Sequence, residues 1–242
     1  MVGVVWFGLA VTAALTLLYG IDPDRELIQV NQNLSEATEV PICEVWTKES
    51  QIALSFDVGR SDGNIEELLP VLQKNGAKAT FFISGQWAEQ HSETVKEICE
   101  AGYELGSCGQ SYTNMRLLSG EECREEILKA HDLVEQLTGY EMTVFRPPFG
   151  EYDNHVIDSA RKCGYCTVPG NVDSLDWKDY GVDAVIQTVL EHPELDRGSI
   201  LLFHSGAVYT AEAVDEIIAE LQDRGYDLVS VSQLLASAAV SE

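Results

Sequence analysis

Four side chains able to hold or move protons stand at the ends of short apolar runs. Asp57 closes the run 51–57, Arg146 follows 142–145, Asp176 lies in Asp173-Ser174-Leu175-Asp176-Trp177, and His204 follows 199–203. Each has an ordinary use on its own, as a helix cap, an ion pair or a hydrogen bond at the core edge. Together they supply what acid–base chemistry needs: an arginine beside Asp57 would hold it as a base, and Asp176 near His204 would favour the imidazolium, a poised acid. Ser107-Cys108 follows 103–106, so a thiol joins the same set of run ends.

These groups meet only if the runs that carry them are neighbouring parallel strands. After Trp46 the chain alternates β-rich apolar runs, at 51–57, 78–83, 103–106, 142–145, 165–169, 199–203 and 227–231, with longer stretches of helical period. That alternation predicts βα units around a parallel sheet. The helix ends are legible: Ser119 with Glu122 forms a capping box, Cys123, Ile127, Ala130, Val134 and Leu137 make one apolar face, and Gly139 supplies a left-handed stop. Gly76, Gly102, Gly164 and Gly225 end four other helices in the same reading, and Pro70 predicts a kink or a late start within 65–75. Seven such units suit either a closed barrel or an open doubly wound sheet, and periodicity does not choose between them. In both, reacting groups gather beyond the C-terminal ends of the strands.

The chain's 242 residues suit one large α/β domain with a short extra segment. Its 15 Lys and Arg against 40 Asp and Glu give a formal charge of -25, which repels nucleic acid and anionic lipid. Six cysteines show no disulfide-scaffold spacing. Cys163 and Cys166 form a CxxC without a second pair, so they read as core thiols, one closing a helix and one entering a strand; Cys43 carries no signal. Residues 2–21 hold no charged side chain and are long enough to span a bilayer, and Leu18-Tyr19-Gly20-Ile21 lacks a clean cleavage site. An uncleaved anchor is therefore preferred to a removed signal, followed by a polar linker at 22–45 and a globular domain at 46–242. This places the domain outside the membrane, anchored or secreted, with membrane contact only through residues 2–21.

The series Ser55-Phe56-Asp57-Val58-Gly59, Ala79-Thr80-Phe81-Phe82, Glu104-Leu105-Gly106-Ser107-Cys108-Gly109-Gln110-Ser111-Tyr112, Phe145-Arg146-Pro147-Pro148-Phe149-Gly150, Asp173-Ser174-Leu175-Asp176-Trp177 and Leu202-Phe203-His204 resembles the polysaccharide deacetylases. This is the NodB-homology group, or carbohydrate esterase family 4, and the stretches 41–58 and 172–177 look most like its sporulation-associated members. The resemblance implies an α/β fold of the distorted (β/α)7 barrel type and metal-dependent removal of acetyl from N-acetylated sugars of peptidoglycan or chitin. It implies that Asp57 is the general base, Arg146 its positioner, His204 the general acid and Asp176 the residue that tunes it. Phe149, at a position commonly Tyr, would offer a backbone N–H to the oxyanion; Trp177 would wall the groove, Leu202 the acetyl pocket, with Pro148 among the substrate-binding residues.

The resemblance breaks at the metal. The family pairs two aspartates where this chain has Asp57-Val58, and places His-Ser/Thr-x-x-His where it has Cys108-Gly109-Gln110-Ser111-Tyr112. The five histidines, at 91, 131, 155, 192 and 204, include no i, i+4 pair that could rebuild the site. A catalytic zinc usually needs three protein ligands, so no metal cofactor is expected and family-type deacetylation should be very slow or absent. Three readings follow. The leading one is a protein that binds cell-wall or chitin-like glycan, with Trp177 and Phe149 stacking on sugar faces. The others are a deacetylase rebuilt on Cys108, Asp57 and His204, and a non-catalytic scaffold for a protein partner.

Overall fold

The computed structural model describes residues 40–59 and 64–239. The anchor expected at 2–21 and most of the linker expected at 22–45 lie outside the described residues, among which no helix is long and apolar enough to cross a membrane. Eight strands form one sheet: β1 Gln51–Val58, β2 Thr80–Ile83, β3 Glu104–Ser107, β4 Val144–Phe145, β5 Cys166–Thr167, β6 Val172–Asp173, β7 Ile200–His204 and β8 Asp227–Val229. The helices are α1 Ile65–Asn75, α2 Gly85–Gln90, α3 Ser92–Glu100, α4 Gly120–Thr138, α5 Asn154–Lys162, α6 Val182–Leu190, α7 Thr210–Asp223 and α8 Val231–Ala239. Seven strands run in the order β5-β4-β3-β2-β1-β7-β6, all parallel, while β8 pairs with the first residues of β1, where β2 has not yet begun. The result is a distorted (β/α)7 barrel with β5 and β6 as its edges. The segment ahead of β1 runs from the β5 edge to the start of β7: the Ile42 N–H donates to the Thr167 carbonyl at 2.8 Å, and the Val45 N–H to that of Gly198 at 2.9 Å.

Strand alternation splits the core into two layers. Ile52, Leu54, Phe56 and Val58 of β1 pack outward in one cluster with Leu68 and Leu72 of α1 and Ile217 and Leu221 of α7. Ala53 faces inward, clustered with Phe82, Val144, Val168 and Ile200 and with Val231, Leu234 and Leu235 of α8. Helix α8 therefore fills the end of the barrel opposite the strand C-termini. Glu104 fastens it there, its buried carboxyl accepting from the Ser232 N–H and the Thr80 hydroxyl, while burial raises its pKa.

The capping box of α4 forms as expected, with Ser119 and Glu122 each satisfying the other's backbone N–H, and Gly139 closes the helix at φ 73°. Two expectations need correction. Helix α1 starts at Ile65, so there is no late start, and it runs past Pro70, where the bond its missing N–H would have donated is forgone. An eighth strand, β6, joins the seven expected; with two residues, Val172–Asp173, it is too short to show alternation.

Candidate active site

The register of β1 and β7 sets Asp57 directly beside His204 at the C-terminal rim. Paired residues on parallel neighbours lie about 4.8 Å apart and point to the same side, so the carboxylate and the imidazole share one face. Around them opens a cavity of about 590 Å³, whose wall includes Tyr112, Arg146, Phe149, Trp177 and Leu202.

Each half of the pair is held from behind. The Arg146 guanidinium is 1% exposed and donates from Nη1 to Asp57 Oδ1 at 2.9 Å, from Nη2 to the Ser55 hydroxyl at 2.7 Å and from Nε to the Val168 carbonyl at 3.1 Å. Its plane lies over the Phe82 ring at 4.1 Å. Such a fork fixes the orientation of the Asp57 carboxylate. Asp176, fully buried, accepts from the His204 backbone N–H at 2.8 Å and the Thr210 hydroxyl at 2.7 Å through Oδ2, and meets His204 Nδ1 at 2.8 Å through Oδ1. This leaves Nε2 as the nitrogen available to a ligand. Burial alone would lower the His204 pKa; the hydrogen bond to Asp176, then the charges of Asp57, Asp176 and Asp173, outweigh it and the pKa is raised.

Backbone strain gathers on the same rim. The non-glycine residues with positive φ among the described residues are Tyr112 (47°), Phe149 (62°), Leu175 (53°) and Asp179 (52°). Three of them line the cavity and the fourth precedes Asp176. Each such conformation costs on the order of 1–3 kcal/mol, and concentration of that cost at one place marks a site held for use. Phe149 and Trp177 present large exposed aromatic surfaces, 51% and 54%, at the cavity wall. Pro148, expected at the wall, is buried, and Asp176 also stands back from it behind His204.

The polysaccharide deacetylase sequence profile matches residues 44–168, more than half of the chain. The chain belongs to the polysaccharide deacetylase family. It is 34% identical over 183 residues to the peptidoglycan-N-acetylmuramic acid deacetylase PdaC of Bacillus subtilis, covering 76% of this chain and 38% of that protein. It is 28% identical over 208 residues to the uncharacterized protein YlxY of Bacillus subtilis, covering 86% and 64%. The chain thus spans under two thirds of the length of these relatives. A CE4 family pseudoenzyme from Bacillus anthracis superposes with a TM-score of 0.78 at 29% identity, covering 82% of this chain and 69% of that one. A mutant of it described as having restored enzymatic activity superposes equally well.

The resemblance implies a divalent ion beside Asp57, and the residues at the positions that would hold it do not fit one. Val58 is fully buried in the outer apolar layer. Cys108 is fully buried in the inner layer, its thiol donating to the Phe82 carbonyl. Burial first, then the charge of Asp57, pushes the Cys108 pKa well above the ordinary thiol value against the opposing charge of Arg146. Tyr112 reaches the cavity wall, its hydroxyl 3.5 Å from Asp57 Oδ2 and its ring edge-on to Phe149 at 5.0 Å; burial first and Asp57 second raise its pKa too. Among the described residues no group of three or more His, Cys, Asp or Glu is placed to hold a metal. The same burial argues against the rebuilt centre on Cys108, because the thiol neither lines the cavity nor ionises readily. The Cys163-x-x-Cys166 pair follows the core reading: Cys163 caps α5, and Cys166 lies in β5 with its pKa pushed up by burial to about 12.

Two groups on the wall carry no sequence-based assignment. Asp173 stands beside Leu202 in the β6–β7 register, and Asp179 accepts from the Val208 N–H at 3.3 Å. Asp173 was visible within the Asp173–Trp177 motif, whereas Asp179 depends on a left-handed turn that no local pattern announces.

Proposed function

We propose that this protein binds N-acetylated glycan of the cell envelope in the rim groove and does not carry out the family's metal-dependent deacetylation. One juxtaposition carries the reading: an intact acid–base pair in an open, aromatic-walled groove, next to ligand positions filled by Val58, Cys108 and Tyr112. The Phe149 and Trp177 faces suit the apolar faces of pyranose rings, and His204 Nε2 suits a sugar hydroxyl or carbonyl. A peptidoglycan deacetylase among the relatives favours peptidoglycan-type ligands, and a pseudoenzyme among the structural neighbours is consistent with lost chemistry. In this reading residues 2–21 anchor the domain at 46–242 outside the membrane through the linker at 22–45.

Binding and acetate release decide the matter. The full chain should bind chito-oligomers or peptidoglycan fragments, Trp177→Ala should weaken that binding roughly tenfold, and zinc should elicit no acetate. Installing Val58→Asp, Cys108→His and Tyr112→His together should confer zinc binding. Acetate release by the natural chain on loading with zinc would overturn the proposal.

A further inference from the structure

The charges on the groove wall point to a ligand more specific than an N-acetylated sugar. Three carboxylates, Asp57, Asp173 and Asp179, line it, and a fourth, Asp176, stands behind His204. Against them the described residues of the wall set one guanidinium, sequestered at 1% exposure behind Asp57, and one imidazole. Lys178 lies over the Trp177 ring at 5.3 Å and is not part of the wall. Arg60 and Asp62, which follow the wall residue Gly59 in sequence, carry one charge of each sign. Asp57 is 7% exposed; its Oδ1 is taken by Arg146, while among the described residues its Oδ2 meets only the Tyr112 hydroxyl, at a long 3.5 Å. Among the described residues no strong donor reaches this oxygen of a cavity-lining residue, so a ligand ammonium finds an acceptor there.

We infer that, among N-acetylated glycans, the groove prefers partly de-N-acetylated chains, whose glucosamine units bear free amino groups, over fully N-acetylated ones. The inference rests on the glycan-binding reading above and names the form of glycan. An ammonium brings one positive charge and three donors into a concave wall of carboxylates, where low-dielectric surroundings strengthen the attraction. An acetamido group brings a single N–H and a carbonyl oxygen that those carboxylates repel. Among the described residues the wall supplies no ligand set for a metal cation, so the glycan itself would bring the compensating charge.

Calorimetry on the full chain, with the glucosamine tetramer and the N-acetylglucosamine tetramer side by side, tests this. The amino tetramer should bind at least about tenfold tighter at low salt, with the advantage shrinking as salt rises. Asp173→Asn and Asp179→Asn, which keep an acceptor oxygen and tolerate the native backbone, should each narrow the ratio of the two affinities. Equal affinities, or tighter binding of the acetylated tetramer, would overturn the inference and leave glycan binding standing. Failure of both tetramers to bind at millimolar concentration would overturn both readings. Tetralysine binding as tightly as the amino tetramer, with no response to either Asn variant, would assign the preference to bulk charge and overturn the inference alone.

Discussion

Two arcs of one rim have been built in opposite ways. Along β1, β4 and β7, Asp57–Arg146 and Asp176–His204 form polar pairs whose members also bond to Ser55, Val168 and Thr210. Along the ends of β1 and β3, Val58 and Cys108 are sealed into apolar layers and Tyr112 covers what remains. The difference follows from how each arc is coupled to the fold. A buried polar network is stable only as a whole, since removing one member leaves charges unpaired. Ligands to an ion depend on the ion, and in its absence close packing of apolar groups is the cheaper arrangement.

Breaking the first arc should therefore cost most. Arg146→Met leaves the Asp57 carboxylate nearly buried without its cation, for a loss of about 3–5 kcal/mol in urea unfolding. A loss below about 1 kcal/mol would mean that the pair is dispensable to the fold and that the contrast between the arcs is not one of coupling. In the second arc, the ring of Tyr112 fills the space above Gly59: a Cβ added there would lie 2.3 Å from it. Gly59→Ala should cost about 1–3 kcal/mol by overpacking. In a Tyr112→Gly background, where the ring is gone and the left-handed backbone is relaxed, the same change should be nearly neutral. A double-mutant cycle reads the coupling directly, and additive costs would show that Tyr112 is not what closes the space.

Sequence reasoning reached the first arc far better than the second. Asp57 and His204 were legible because β1 and β7 are long enough to show where a strand ends, and position at that end is most of their geometry. Arg146 was legible from its place after an apolar run, though its three bonds come from partners 22 to 91 residues away. That Val58, Cys108 and Tyr112 stand where the resemblance implies ligands could be read residue by residue; the way they pack could not. The φ of 47° at Tyr112 and the packing of its ring against Phe149 arise from loop paths that local pattern does not encode. Pro148 was placed among the substrate-binding residues by the resemblance, yet with Phe149 at φ 62° the phenylalanine lines the cavity and the proline is buried. The same limit hid β6 and Asp179.

The smallest effect sharpens the comparison through pH. The pKa of His204 in the folded protein stands above its ordinary 6.5, because the Asp176 bond and the charges of Asp57, Asp176 and Asp173 outweigh burial. A group raised in this way stabilises the fold fully below pH 6.5, and the contribution disappears as pH rises through the higher folded value. Thermal stability should accordingly decline between pH 6.5 and the folded value in the natural chain, and His204→Gln should remove that decline. Tyr112→Phe should leave it in place, since the phenol, its pKa raised, stays neutral across this window. A rise in stability with pH that depends on His204 would mean that burial dominates the imidazole, and the first arc would then hold a neutral histidine rather than a poised acid.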